Sequence, residues 1–192
     1  MIPHRLGLLA LLCLVAGCVS FEHAPTTAFD CDPALAGRWR SLAGGPEGNT
    51  VAIADDCTMS WPLSQDGATI EIPLRGFALD GKRYLAFSPA QAERMLEANG
   101  DISGHTPAES LFLVRYRIEG DRIALWLPDH DHVAEAIASG RIHGKAAKQR
   151  QAFEVNGSPK RISALLRKDA RLYPSSEDDA ALRFRRTDAG AP

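Results

Sequence analysis

The stretch from Phe112 to Leu127, FLVRYRIEGDRIALWL, decides the fold of this chain. Every second residue from Phe112 to Ile118 is apolar, Gly120-Asp121 follows, and the alternation resumes at Ile123. A period of two is typical of a strand with one buried face. The stretch therefore predicts an antiparallel hairpin that buries one of its faces.

Two further strand signals lie upstream of this hairpin. Ile70, Ile72 and Leu74 alternate with other residues, and Asp80-Gly81 separates two apolar runs. An Asp-Gly pair between such runs favours a tight hairpin, because both turn positions require positive φ. Pro73 has no N–H to donate to a ladder, which predicts an edge strand or a bulge at that position.

Short helices are predicted between the strands. Serine followed by proline, at Ser88 and Ser158, is typical of a helix N-cap and first residue. Asp129 or Asp131 caps a third helix. We expect its buried side to carry Val133, Ala134, Ile137 and Ala138. About eight strands with such inserts predict a mainly β (α+β) domain folded as an antiparallel barrel or strongly curled sheet.

The first 17 residues have the pattern of a secretory signal peptide. Arg5 supplies a short positive region, and Leu6 to Ala16 is an uncharged apolar run. A bilayer span needs about 20 residues, so this run is too short for one. Its length is typical of a signal-peptide core, which is removed from the mature protein.

The end of this segment, Val15-Ala16-Gly17-Cys18, resembles the lipobox of bacterial lipoproteins. The resemblance implies that Cys18 becomes the first mature residue and carries acyl chains that anchor the protein to a membrane. Val19 follows, where many Gram-negative lipoproteins retained in the inner membrane have aspartate. The resemblance therefore implies the periplasmic face of the outer membrane. An ordinary secretory signal cleaved nearby is the alternative.

Removal of residues 1–17 leaves 175 of the 192 residues, enough for one domain with a core. Residues 18–34 are polar and aperiodic and predict a flexible tether, residues 35–188 a single β-rich domain, and residues 189–192 a tail. The mature chain has 21 basic and 24 acidic residues. This near-neutral balance, without a basic stripe, argues against nucleic-acid binding.

Cys31 and Cys57 remain once Cys18 is lipidated and the signal peptide is removed. Two cysteines in an oxidising compartment are expected to pair. A bridge across their separation of 26 positions would stabilise the fold by about 3 kcal/mol. Two free thiols or a metal pair are the alternatives.

Gly37-Arg38-Trp39, on an expected first strand, resembles the Gly-x-Trp signature of lipocalins. The resemblance implies an eight-stranded barrel closed at one end by Trp39, with an arginine of the last strand across the ring. Arg183 or Arg185 is expected in that place, as a cation–π partner. The segments 116–127 and 133–140 are also similar to a group of Gram-negative lipoproteins that have no assigned activity.

The densest group of chemical side chains is Asp129-His130-Asp131-His132. Neighbouring helical residues point in different directions, so at most two of them share one metal ion. An aspartate N-cap is the expected reading, and transition-metal binding by His130 or His132 is the alternative. No catalytic motif is recognisable, and no cofactor is predicted.

These features predict a non-enzymatic binding or interaction module on a lipid anchor. Its partner is a small apolar molecule inside the barrel or an envelope protein. A cavity of about 300 Å³ or more would favour the small molecule. Its lining is expected from Trp39, Phe77, Phe112 and Tyr116, whereas a solid core would favour the protein. A metal-binding protein or metal-dependent enzyme using His130 or His132, and an inhibitor of an envelope hydrolase, are the alternatives.

Overall fold

A computed structural model describes residues 19–43, 50–62, 69–88, 110–146, 152–176 and 182–187. The described part of the chain is mainly β, as the sequence predicts. The strands are β1 (Val19–Phe21), β2 (Gly37–Ser41), β3 (Thr50–Ile53), β4 (Thr58–Pro62), β5 (Thr69–Pro73), β6 (Arg75–Leu79), β7 (Lys82–Phe87), β8 (Phe112–Glu119), β9 (Arg122–Trp126), β10 (Gly144–Ala146), β11 (Phe153–Val155) and β12 (Leu182–Arg186). The helices are α1 (His130–Ala138) and α2 (Pro159–Lys168), and a 3-10 turn spans Pro33–Leu35.

Nine strands form one antiparallel sheet in the order β5-β4-β3-β2-β12-β9-β8-β7-β6. Eight successive antiparallel pairings give β5 and β6 the same direction. These two edge strands are consecutive in the chain and separated only by Leu74. They therefore act as one bent strand that pairs with β4 before the bend and with β7 after it. The sheet is a nearly closed barrel, consistent with the lipocalin-like prediction.

The bend between β5 and β6 is held by two backbone contacts. The Leu74 N–H donates to the Cys57 carbonyl at 2.9 Å, and Asp30 and Gly76 exchange two backbone hydrogen bonds. A Cβ on Gly76 would lie 2.7 Å from the Asp30 carbonyl oxygen, so only glycine allows this close approach. Pro73 ends β5, an edge strand as predicted.

Both predicted hairpins are present. Asp80 and Gly81 have φ of 51° and 74°, the positive values that the turn between β6 and β7 requires. Gly120, with φ of 59°, turns the chain between β8 and β9. The last strand, predicted around Leu182 and Phe184, is confirmed as β12, which lies between β9 and β2.

The barrel has a core on each side of its wall. The inner core is lined by buried side chains that include Trp39, Val51, Trp61, Ile70, Tyr116 and Phe184. The outer core lies between strands β6–β9 and a layer made of α1, α2 and the three-stranded sheet β1-β11-β10. Its buried side chains include Phe21, Tyr84, Leu113, Trp126, Val133 and Ile162.

Two of the three predicted helices fall on described residues. The Asp129 carboxylate caps α1 by accepting from the His132 N–H at 2.9 Å, and the Ser158 hydroxyl caps α2. The buried side of α1 differs from the prediction: Ala136 is buried and Ala138 is exposed. An α-helix has 3.6 residues per turn, so Ala136, three residues after Val133, lies on the same side of the helix as Val133. Ala138, five residues after Val133, does not. Pro89 and the residues that follow it to 109 lie outside the described residues.

The tether prediction for residues 18–34 is wrong over its described part. Val19–Phe21 is β1, which pairs in parallel with β11, and Phe21 is fully buried. β1 has only three residues, which are too few to show the period of a strand in the sequence. The domain therefore includes Val19. Cys18 lies outside the described residues.

Two strands of the outer layer are predicted by the sequence, and both are shorter than expected. The sequence favours strands over residues 141–147 and 151–155, whereas β10 and β11 have three residues each.

No helix among the described residues is long and apolar enough to cross a bilayer.

Candidate ligand site in the barrel

One end of the barrel is closed by Trp39 and the 3-10 turn that precedes β2. The Trp39 Nε1 donates to the Leu35 carbonyl at 2.7 Å, and the side chain is 1% exposed. Proline at the first position and the Asp32 carboxylate, which accepts from the Ala34 N–H at 3.0 Å, set the turn locally. We call this the closed end.

The arginine on Trp39 is Arg186, not Arg183 or Arg185. Its guanidinium carbon lies 4.2 Å from the centroid of the Trp39 ring. Its nitrogens donate to the carbonyls of Ala34, at 2.7 Å, and Ala36. Arg186 stands directly opposite Trp39 in the register of β12 with β2, so both side chains share one face. Arg183 and Arg185 point to the other face, and Arg185 pairs with Asp121 at 3.4 Å.

A partly buried polar group that the sequence did not indicate joins the closed end to the barrel wall. The Tyr116 hydroxyl donates to the Asp32 carboxylate at 2.9 Å, and Arg83 lies 3.0 Å from the same carboxylate. Burial raises the pKa of Tyr116 to about 12. Tyr116 and Asp32 are 84 positions apart, so no local pattern could have linked them.

The predicted disulfide is present beside this group. Cys31 and Cys57 are bonded, with their Cα atoms 5.6 Å apart. Cys57 has φ of 65° at the end of the turn between β3 and β4. The bridge ties the segment before the 3-10 turn to the barrel wall, and so holds the closed end in place.

Between the closed end and the far ends of β7 and β8 lies a cavity of about 90 Å³. Only apolar side chains line it. Phe87 and Phe112, whose rings are 5.5 Å apart, form part of its wall. The volume is below the about 300 Å³ expected for a drug-sized ligand, yet the core is not solid. The volume and lining of this cavity suit a small apolar molecule or a short alkyl chain better than a polar one.

The lining differs in part from the prediction. Trp39 and Phe112 line the cavity, as expected. Phe77 lies in the outer core instead, stacked on Tyr84 at 5.1 Å. Tyr116 is inside the barrel, but its hydroxyl is bound to Asp32 and it does not line the cavity. The sequence showed which residues are apolar but not on which side of a curled wall each one lies.

The two histidines proposed as metal ligands lie in the first turn of α1 and contact different neighbours. His132 is buried, and its Nε2 lies 2.7 Å from an Asp169 carboxylate oxygen. His130 contacts Asp131 at 3.1 Å, and its ring packs on Phe153. Within the described ranges no three histidine, cysteine or acidic side chains converge as a metal site would require. The Asp129-His130-Asp131-His132 run acts as a helix start in this structure.

A second polar group, which is buried, lies on the three-stranded sheet β1-β11-β10. The Glu154 carboxylate accepts from Ser110 at 2.8 Å and lies 2.6 Å from the Lys145 ammonium. Burial opposes ionisation, but the hydrogen bonds from Lys145 and Ser110 prevail and lower the pKa of Glu154. The group joins β10 and β11 to Ser110, two residues before β8. The Lys145 ammonium balances the charge of the buried Glu154 carboxylate.

The fold and this site define the chain as a mainly antiparallel β protein with a nearly closed, lipocalin-like barrel and an apolar interior. Comparison of the chain with protein-family models, with curated proteins and with solved structures finds no match.

Proposed function

We propose that this chain is a lipid-anchored envelope lipoprotein whose barrel binds a small apolar molecule without chemical conversion. The observation that carries the proposal is the cavity of about 90 Å³ inside the barrel, which is lined only by apolar side chains. A space of this kind has no hydrogen-bond donor or acceptor for a polar ligand. A buried polar group without a partner costs roughly 1–3 kcal/mol, so polar molecules are selected against.

The closed end supports a preformed site. Trp39, Arg186 and the 3-10 turn are joined by hydrogen bonds and by the ring–guanidinium contact. The Cys31–Cys57 bridge holds the same end. A ligand site that is already rigid loses little conformational freedom on binding, which favours affinity.

The anchor assignment rests on the lipobox resemblance at Cys18. Val19, the next residue, is already part of β1 and is 3% exposed. Consecutive Cα atoms are about 3.8 Å apart, so acyl chains on Cys18 would begin at the surface of the domain. The domain would then sit directly on the periplasmic face of the outer membrane instead of extending from a tether. An envelope-protein partner and hydrolase inhibition stay predictions without a particular contact behind them.

Fluorine NMR with xenon tests the barrel site. The chain has three tryptophans, of which Trp39 and Trp61 line the cavity and Trp126 belongs to the outer core. We expect the fluorotryptophan-labelled Cys18→Ser chain to show xenon-dependent shifts at Trp39 and Trp61 that saturate. Trp126 is the internal control. Equal shifts at all three tryptophans, or none, would contradict an apolar site in the barrel.

A further inference from the structure

A second recess lies on the outer layer, away from the barrel interior. It is an open cleft of about 450 Å³ between α2 and the end of β11. Its apolar wall includes Ile142, Val155 and Ile162, none of which is more than 5% exposed. The volume lies within the roughly 300–1,000 Å³ of small-molecule sites, unlike that of the barrel cavity.

The rim of the cleft is basic. Arg161, Lys168 and His143 are exposed side chains on it. Neither Arg161 nor Lys168 makes an ion pair with a residue in the described part of the chain. Two cations therefore face a shared apolar wall with their charge unmatched.

The acidic side chain of the rim is already engaged. One Asp169 carboxylate oxygen lies 2.7 Å from the His132 ring, and the other accepts from the Arg171 N–H at 3.1 Å. Arg141, a further cation on the rim, donates to Glu135 at 2.8 Å and is matched in the same way. Arg161 and Lys168 outnumber the single Asp169 carboxylate, so the charge that the rim offers to a ligand is positive.

Arg161 is held in place by the start of its helix. Its N–H is within 3.4 Å of the Ser158 hydroxyl that caps α2. A Cβ on Gly157 would lie 3.0 Å from the Arg161 Cδ, so the side-chain stem packs against the glycine backbone. The stem is thereby restrained beside the cleft, which reduces the entropy lost when the guanidinium binds an anion.

From this juxtaposition we infer that the cleft binds a small organic anion with an apolar body, such as an aromatic or short alkyl phosphate or carboxylate. The apolar wall takes the body, and Arg161 and Lys168 take the anionic group through charge-assisted hydrogen bonds. The inference does not depend on the lipid anchor or on the barrel cavity. Its failure would leave the xenon result unaffected.

Calorimetry and amide NMR with phenyl phosphate test the inference on the full chain in phosphatidylcholine nanodiscs. We expect saturable binding that weakens with added salt, with shifts at β11 and α2. Inorganic phosphate and benzyl alcohol should each bind at least about tenfold more weakly, because each lacks one of the two contacts. Equal affinity for inorganic phosphate, or no binding of phenyl phosphate, would overturn the inference.

Paired variants locate the site. Arg161→Gln with Lys168→Gln should weaken phenyl phosphate binding at least about tenfold, since charge-assisted hydrogen bonds are lost. Lys160→Gln is the matched control, because Lys160 is an exposed cation of the same helix that does not line the cleft. Unchanged binding by the double variant, or an equal loss in the control, would refute the site. If the cleft bound phosphatidylglycerol nanodiscs more tightly than phenyl phosphate, the small-anion site would have to be replaced by a lipid-headgroup site.

Discussion

The guanidinium carbon of Arg186 lies 4.2 Å from the centroid of the Trp39 ring, and the two residues face each other across the pairing of β12 with β2. This contact joins the last described strand to the first strand of the barrel. The same guanidinium binds two carbonyls of the segment that closes the barrel. The Arg186 side chain thus connects β12, the inner core and the closed end.

Replacement of Arg186 by methionine should destabilise the fold. The variant loses the cation–π contact and both carbonyl hydrogen bonds, and we expect its free energy of unfolding to fall by about 1–3 kcal/mol. Urea unfolding followed by circular dichroism measures the change. Arg185→Met is the matched control and should change stability by less than about 0.5 kcal/mol, because Arg185 makes an exposed ion pair. Equal losses in the two variants would argue against the role of Arg186.

Replacement of Phe21 by alanine tests whether β1 belongs to the domain. Phe21 is fully buried in the outer core, so we expect a loss of about 3–5 kcal/mol from the free energy of unfolding. Thr27→Ala, at an exposed position of the same segment, should be nearly neutral. Thermal unfolding measures both. If both variants had wild-type stability, residues 19–34 would be the tether that the sequence predicts.

Tyr116 should make the stability of the fold sensitive to alkaline pH. Burial raises the pKa of Tyr116 from its usual 10.0 to about 12, so the folded chain holds this proton more tightly than the unfolded chain does. The resulting stability is present below about pH 10 and is lost as the pH rises toward 12. A shift of two units corresponds to up to roughly 2–3 kcal/mol.

Tyr116→Phe isolates this contribution. At neutral pH we expect the variant to lose about 1 kcal/mol, because the hydrogen bond to Asp32 is removed. Between pH 10 and 12 the difference from the wild type should shrink and then change sign, because only the wild type loses the roughly 2–3 kcal/mol that comes from the raised pKa of Tyr116. Tyr84 and Tyr173, whose pKa values burial also raises, are common to both proteins and cancel in the comparison. A constant difference across this range would mean that Tyr116 does not titrate as proposed.

Cys18→Ser should abolish lipidation. Without the thiol no acyl chain is attached, and we expect no incorporation of labelled fatty acid and release from the membrane fraction, or retention of the unprocessed leader. Cys13→Ser is the matched control, because Cys13 lies within the apolar run and should leave labelling unchanged. Labelling that persists in the Cys18 variant would refute the anchor and would require a new account of Cys31 and Cys57.

What the sequence determined by itself is local. The hairpins around Asp80-Gly81 and Gly120-Asp121, and the starts of both described helices, follow from turn geometry and capping within a few residues. The pairing of Cys31 with Cys57 was predicted by counting the cysteines that remain after the expected lipidation of Cys18, under the oxidising conditions that the signal-peptide pattern predicts. The mainly β class followed from alternation, because each strand records its own buried face.

Only the tertiary structure decided which distant residues meet. The arginine on Trp39 depends on the register between β2 and β12, where a shift of one residue reverses every side chain. The sequence prediction named Arg183 or Arg185, which are three positions and one position away from Arg186. The three residues of β1 are too few to show a period, and their pairing partner lies 134 positions away. The side of the wall on which Phe77 lies depends on how the sheet curls. Alternation along a strand separates two faces, but only closure of the barrel decides which of them is inside.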